Sequence, residues 1–309
     1  MRIFCLHDDI GEEIRQRKEK GTGETFKTVH LKPLRKGEIF YCAAACWFAG
    51  DASWAEMKQE IKDNRAEIER ASSLILTAKD LDEGCTSPRF LLAVEGMCGV
   101  DRHVRKRVKA MYAEGVRIAS LTWNEFNALA TGNGGDPVRG LTEKGAKAIR
   151  AMNECHMIPD VSHANEHTFW DILRVSKRPV IATHSNSRTI CGAERNLTDQ
   201  QIIAIAERGG LIGLNSYGPF ISRETSERSA AGLAKHARYI SSIVGHEHVA
   251  CGFDFMDRID YLEEKETHDI SAAAMAQNFI EALRAEQFSE AEIENIAYRN
   301  VFRFLRENL

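Results

Sequence analysis

Six side chains with nitrogen or oxygen donors stand at or just beyond short apolar runs: His7, Asp9, Glu95, His163, His184 and Asp254. His7 and Asp9 form an H-x-D pair after Arg2-Ile3-Phe4-Cys5-Leu6. Glu95 closes Phe90-Leu91-Leu92-Ala93-Val94, His163 follows residues 157–161, His184 follows residues 179–183, and Asp254 follows Cys251-Gly252-Phe253. Three imidazoles and three carboxylates form a ligand set suited to Zn²⁺ or a similar transition metal. Six groups exceed one tetrahedral site, so two ions bridged by a carboxylate fit better. Two ions about 3.5–4 Å apart can hold a hydroxide between them and polarise a carbonyl.

No single one of these residues carries that reading. A lone His after a strand is more often a cap or a hydrogen-bonded loop residue, and H-x-D alone is a weak signal. Glu95 is stranger, because a carboxylate in an apolar run must be paired or bound to a cation. The joint pattern is what counts, and the other imidazoles act as controls. His103, His156, His236, His246, His248 and His268 fall in helices, at their ends or before strands, and read as structural or solvated. His30 and His167 read as surface groups.

Elements that bring the six together can be read from the same runs. His163 and His184 are 21 residues apart, with an amphipathic helical pattern from Glu166 to Leu173 between them. Strand, helix, strand is a βαβ unit, and parallel neighbours need such a crossover. Eight β-prone runs recur, at 2–6, 39–48, 90–94, 116–121, 157–161, 179–183, 211–215 and 248–252. Helical patterns follow most of them, at 54–71, 102–113, from the N-cap residue Thr142, at 202–208 after Thr198-Asp199-Gln200-Gln201, and at 230–244. Eight such units in about 250 residues or more is the arithmetic of a (β/α)₈ TIM barrel, whose active sites sit at the carboxyl ends of the strands. The expectation is one barrel of the metal-dependent hydrolase type over residues 1–309, with a polar loop at 11–37 and extra helices after residue 270.

The totals agree with one α/β domain. The chain has 309 residues, 43% hydrophobic and 28% charged, with a net charge of −4. No basic run points to nucleic acid. No stretch approaches the ~20 apolar residues that span a bilayer. The start, MRIFCLHDDIGEE, turns acidic at once and lacks the apolar core of a signal peptide. Eight Cys without a C-x-x-C pair, several in apolar runs (Cys42, Cys46, Cys251), suggest buried thiols in a reduced, cytoplasmic protein.

Over most of its length the chain resembles the membrane (renal-type) dipeptidase family, peptidase family M19, amidohydrolase-like metallopeptidases. The resemblance is densest in Asp160-Val161-Ser162-His163, Thr183-His184-Ser185-Asn186, Glu194-Arg195-Asn196-Leu197 and Asn215-Ser216-Tyr217. It implies that His7 and Asp9 hold one zinc, His163 and His184 the other, and that Glu95 bridges them. It implies that Asp254 is the acid/base, and that Arg195 and Tyr217 bind the terminal carboxylate of the substrate. Departures are Cys5 for the first Asp of D-x-H-x-D, Asp254-Phe255-Met256-Asp257 for D-F-D-G, and Trp123 where renal-type members place a substrate-contacting His.

The resemblance therefore implies a two-zinc dipeptidase acting on free dipeptides through a metal-bridged hydroxide, tolerant of a D-residue at the C-terminal position. Trp123 would touch the substrate in place of the missing His. A homodimer is implied by analogy alone, with neither nucleic acid nor membrane as partner. Two rivals remain open: another amidohydrolase activity, on N-acyl amino acids or lactams, and a catalytically silent metal-binding barrel.

Overall fold

Apolar residues fill consecutive positions in the strands rather than alternate ones, as strands buried on both faces require. The computed structural model describes residues 1–21, 23, 25–256 and 267–309. Its strands are β1 (Ile3–Asp8), β2 (Ile39–Trp47), β3 (Ser73–Leu74), β4 (Arg89–Glu95), β5 (Val116–Ser120), β6 (Ile158–Asp160), β7 (Ile212–Leu214) and β8 (Val249–Cys251). Every pairing among them is parallel. Their order is β6-β5-β4-β2-β1-β8-β7, and β3 adds to β4 outside this path.

The ring is completed by residues 181–182, which lie between β6 and β7. They form parallel bridges Asp160↔Ile181 and Ala182↔Ile212. Val161 donates to the Ile181 carbonyl at 2.8 Å, and Ala182 to the Leu211 carbonyl at 2.9 Å. The expected strand at 179–183 is thus present as a two-residue stave. Eight parallel staves around a closed sheet make a (β/α)₈-type barrel. The barrel is narrow beside this stave. A Cβ added to Gly213 or to Gly252 would land on the Thr183 carbonyl oxygen.

Helices wrap the sheet: α1 (Ile10–Lys20), α2 (Lys32–Lys36), α3 (Trp54–Ala71), α4 (Val104–Ala113), α5 (Glu143–Cys155), α6 (Glu166–Val175), α7 (Asp199–Glu207), α8 (Gly218–Ile221), α9 (Ala230–Val244), α10 (Gln277–Ala285), α11 (Glu290–Glu294) and α12 (Asn300–Asn308). Thr142 caps α5 by accepting from Gly145 N. Thr198 and Gln201 cap α7 reciprocally, so that helix starts at Asp199. The expected C-terminal helices cover the outside of the barrel. Phe302 of α12 meets Phe4 and Tyr41 edge-on, at ring distances of 6.3 and 4.7 Å.

The segment read as a polar loop, 11–37, is largely helical. It holds α1, a π-helical turn at Lys27–Leu31 and α2. Ile10 and Ile14 are the only large apolar residues of α1, too few for a helical stripe to show in the sequence. Charge supports the helix instead, with Glu12 and Glu13 in its first turn and Arg17, Lys18 and Lys20 in its last. His30 is not a surface group: it is 1% exposed, and its Nε2 lies 2.6 Å from Glu13 Oε2.

Candidate active site

All six donor residues arrive at one end of the barrel. His7 lies near the end of β1, Asp9 just after it, and Glu95 ends β4 in register with Trp47 of β2. His163 follows β6, His184 follows the 181–182 stave, and Asp254 follows β8. His163 and Asp254 both adopt left-handed backbone conformations, φ 66° and 61°. Non-glycine residues pay strain there, and such strain gathers at functional sites.

The donor atoms form three overlapping triads, each with its atoms within 4.8 Å of one another: His7–Asp9–Glu95, Glu95–His163–His184 and His7–His184–Asp254. Glu95 belongs to two of them through different oxygens. Its Oε2 lies 3.9 Å from His7 Nε2, and its Oε1 lies 2.7 Å from His163 Nε2 and 3.3 Å from His184 Nε2. His7 Nε2 also lies 3.3 Å from Asp9 Oδ1 and 3.7 Å from Asp254 Oδ1.

Supporting hydrogen bonds fix what these nitrogens present. Asn124 Oδ1 lies 2.8 Å from His163 Nδ1, so that nitrogen carries the proton. The Thr183 hydroxyl donates to Asp160 Oδ2 at 2.5 Å and therefore accepts from His184 Nδ1, 2.8 Å away. Both Nε2 atoms then aim lone pairs inward, 2.9 Å apart, beside Glu95 Oε1. Three facing lone pairs repel unless a cation lies among them. His7 Nε2, Asp9 Oδ1 and Glu95 Oε1 are buried without hydrogen-bond partners, which points the same way. The donor set thus fits metal ions.

Electrostatics match. Burial lowers His163 to about 4, helped by the Arg195 charge, so its imidazole is neutral as a ligand must be. Burial and the neighbouring His7 also lower His184. Burial would raise the Glu95 carboxyl, but the positive environment it shares with the surrounding imidazoles outweighs burial and holds it well below its usual range. Burial raises Asp9 to about 7. Burial alone would lower His7, yet Glu95, Asp9 and Asp254 raise it well above its usual value. Such an excess of carboxylate around His7 calls for positive charge.

A cavity of about 310 Å³ opens over these atoms, with walls from Trp47, Trp123, Arg195, Tyr217 and Phe220. Trp47 and Trp123 meet edge-on at 5.1 Å, and Trp123 lies 6.1 Å from the His163 ring. The Arg195 guanidinium sits 5.4 Å over the Phe220 ring, and its Nε has no hydrogen-bond partner. Its Nη2 reaches the His184 carbonyl only at 3.5 Å. Asp254 is oriented by Asn215, whose Nδ2 donates to Asp254 Oδ2 at 3.0 Å. Asp257 lies outside the described residues.

Sequence reasoning named the inner residues and missed those that aim them: Asn124, Asp160, Thr183 and Asn215. Apart from Asn124, which adjoins Trp123, they stand inside the motif segments, which was the only available signal. Trp47 gave none, since a Trp ending an apolar strand reads as core. Replacing Thr183 by Val keeps the shape and removes the hydroxyl. Metal affinity is expected to fall about 10- to 100-fold, as for other outer-shell ligand partners. Competition with a chromogenic chelator measures this, and unchanged affinity would show that His184 needs no such support.

Known proteins resemble this chain to differing degrees. A family model described as membrane dipeptidase, peptidase family M19, matches residues 32–308. An uncharacterized protein from the pqqA 5′ region of Klebsiella pneumoniae is 35% identical over 245 residues, covering 75% of this chain and 88% of its own. An uncharacterized dipeptidase of Schizosaccharomyces pombe is 37% identical over 169 residues, covering 53% of this chain and 40% of its own. The chain thus spans under half the length of that named relative. Among solved structures, the dipeptidase AC, an M19 metallopeptidase, superposes with a TM-score of 0.83 at 23% identity, covering 100% of this chain and 99% of that one. A Rhodobacter sphaeroides metallopeptidase, liganded with a phosphinate mimic of L-Ala-D-Ala, superposes with a TM-score of 0.81 at 23% identity and the same coverage. At that identity the two structures speak for the fold.

Proposed function

Because the chain belongs to the membrane dipeptidase family, peptidase family M19, we propose that it is a zinc-dependent dipeptidase that holds two ions and cleaves free dipeptides. The observation that carries this reading is the sharing of Glu95 between two triads, beneath a cavity with an unpaired arginine at its wall. His7 and Asp9 would hold one ion, His163 and His184 the other, with Glu95 between them. Ions in those places supply Lewis acidity, which activates water near neutral pH and polarises a carbonyl.

The protein's own groups do the rest. Arg195 pairs with the substrate's terminal carboxylate and sets its distance from the scissile bond. Trp123, Tyr217 and Trp47 wall the side chains and exclude water. Asp254, aimed by Asn215, takes a proton from the attacking water and delivers it to the leaving amine. Tolerance of a D-residue at the C-terminal position is supported by the ligand of the Rhodobacter sphaeroides metallopeptidase, a mimic of L-Ala-D-Ala. A reducing, cytoplasmic setting accords with eight cysteines that are mostly buried in the protein's interior. No helix among the described residues is long and apolar enough to cross a membrane.

The test joins composition and activity. Protein purified without chelator and reconstituted with zinc is expected to approach two equivalents per chain. It should hydrolyse members of an L-L and L-D dipeptide panel in preference to N-acyl amino acids and lactams. Stoichiometry that stays at zero refutes the dinuclear site. Turnover confined to N-acyl amino acids or lactams replaces the dipeptidase reading with another amidohydrolase activity.

A further inference from the structure

Among the described residues the Arg195 guanidinium finds little to hold it: its Nε is unpaired, and its Nη2 meets the His184 carbonyl only at 3.5 Å. A side chain this long swings unless the backbone that carries it is fixed. The segment is closed at its base, where Leu197 N donates to the Asn186 carbonyl and Arg188 N to the Leu197 carbonyl, both at 2.8 Å. Within it, one side chain grips the backbone on either side of Arg195. Arg188 Nη2 donates to the Glu194 carbonyl at 2.8 Å, and Arg188 Nε to the Asn196 carbonyl at 2.9 Å. Its third nitrogen, Nη1, donates to Glu166 Oε1 at 2.5 Å.

These anchors lead back to the metal-binding rim. Glu166 is the first residue of α6, which opens just after His163. Asn133 ties the same Glu194 carbonyl to His163 directly. Its Nδ2 donates to the Glu194 carbonyl at 3.0 Å, and its backbone N–H to the His163 carbonyl at 2.7 Å. On the other side, the buried Asn196 donates through Nδ2 to the Cys191 and Phe220 carbonyls, each at 2.8 Å. That bond fastens Phe220 to the loop whose guanidinium its ring supports. The span from Arg195 to His163 is thus set by linked hydrogen bonds, and Arg188 holds both carbonyls that flank Arg195.

We propose that Arg188 is the positioning residue of the substrate's carboxylate site, holding the backbone of Arg195 so that its guanidinium stands at a fixed distance from the metal ligands. This rests on the reading of Arg195 as the receptor of that carboxylate. Arg188 itself does not line the cavity, so it acts through Arg195 alone. The task suits an arginine. Its rigid planar fork serves two carbonyls and a carboxylate at once, whereas the ammonium of a lysine is a point charge on a flexible stem. The pair with Glu166 is partly exposed, at 26% and 57%, and adds little by itself. The two carbonyl bonds carry the function, because misplacing a substrate-holding group by about 1 Å can cost about 100-fold in rate.

A double-mutant cycle on the zinc-loaded protein tests this, with kcat/KM measured on Ala-Ala and on its amide. Arg188→Ala should lose about tenfold on the acid and little on the amide, with zinc content unchanged. Added to Arg195→Ala it should cost nothing further, because the group it positions is gone. Arg188→Lys keeps the charge and should recover only part of the loss, and it provides the same comparison should the Ala variant fold poorly. Reduced stability alone would depress both substrates alike. Equal losses on acid and amide, where Arg195→Ala does separate them, make Arg188 an ordinary loop clasp and overturn the proposal. So does a loss that persists in full in the Arg195→Ala background. If Arg195→Ala itself fails to separate acid from amide, the carboxylate reading falls, and the cycle still decides whether Arg188 acts through Arg195.

Discussion

Replacing Asp254 by Asn is expected to lower kcat about 10²–10⁴-fold, the usual contribution of a positioned acid/base, while zinc content stays near wild type. Asn is the gentlest replacement at this position. Asp254 sits at φ 61°, and Asn tolerates the left-handed region better than other residues with a Cβ. Its amide keeps the volume and can still meet Asn215, but it cannot carry a proton between water and amine. Glu95→Gln should behave differently. Glu95 offers one oxygen to His7 and the other to His163 and His184, so its loss should reduce both metal occupancies together. Elemental analysis beside steady-state kinetics distinguishes the two variants. Near-normal turnover of Asp254→Asn with full metal would remove Asp254 from the proton path.

Arg195→Ala should lower kcat/KM on a dipeptide by roughly 10- to 100-fold, the value of one charge-assisted hydrogen-bonded pair. It should cost little on the matching dipeptide amide, which lacks the carboxylate. Arg195 has what such a role needs. Its Nε is unpaired, its guanidinium rests over Phe220, and it faces the cavity that holds the donors. A planar fork matches a carboxylate in two places, which a lysine would not copy. The same geometry sets substrate length, because a tripeptide moves its carboxylate one residue, about 3.3–3.6 Å, farther from the scissile bond. Equal losses on the acid and the amide would make Arg195 structural and leave length selection to another group.

Much of this centre could be read without coordinates, for a physical reason. In a parallel barrel the carboxyl end of each strand faces one rim, so chemistry-bearing residues after apolar runs must converge. His7, Asp9, Glu95, His163, His184 and Asp254 follow that rule, and so do the barrel and most helices. What failed locally failed where burial does not follow a period. The helix α1 is held by terminal charges and two isoleucines, and His30 is buried by a pairing with Glu13 that no pattern announces.

The finer chemistry belongs to tertiary structure alone. Which oxygen of Glu95 faces which imidazole depends on strands far apart in sequence, since His7 and His163 meet it from opposite directions along the chain. The tautomers of His163 and His184 are set by Asn124 and by the Asp160–Thr183 pair. The aim of Asp254 is set by Asn215, 39 residues away. Residue types and their place at strand ends determined that a metal-binding rim should exist. Hydrogen bonds between separate loops, invisible to any local spacing, decided where each lone pair points.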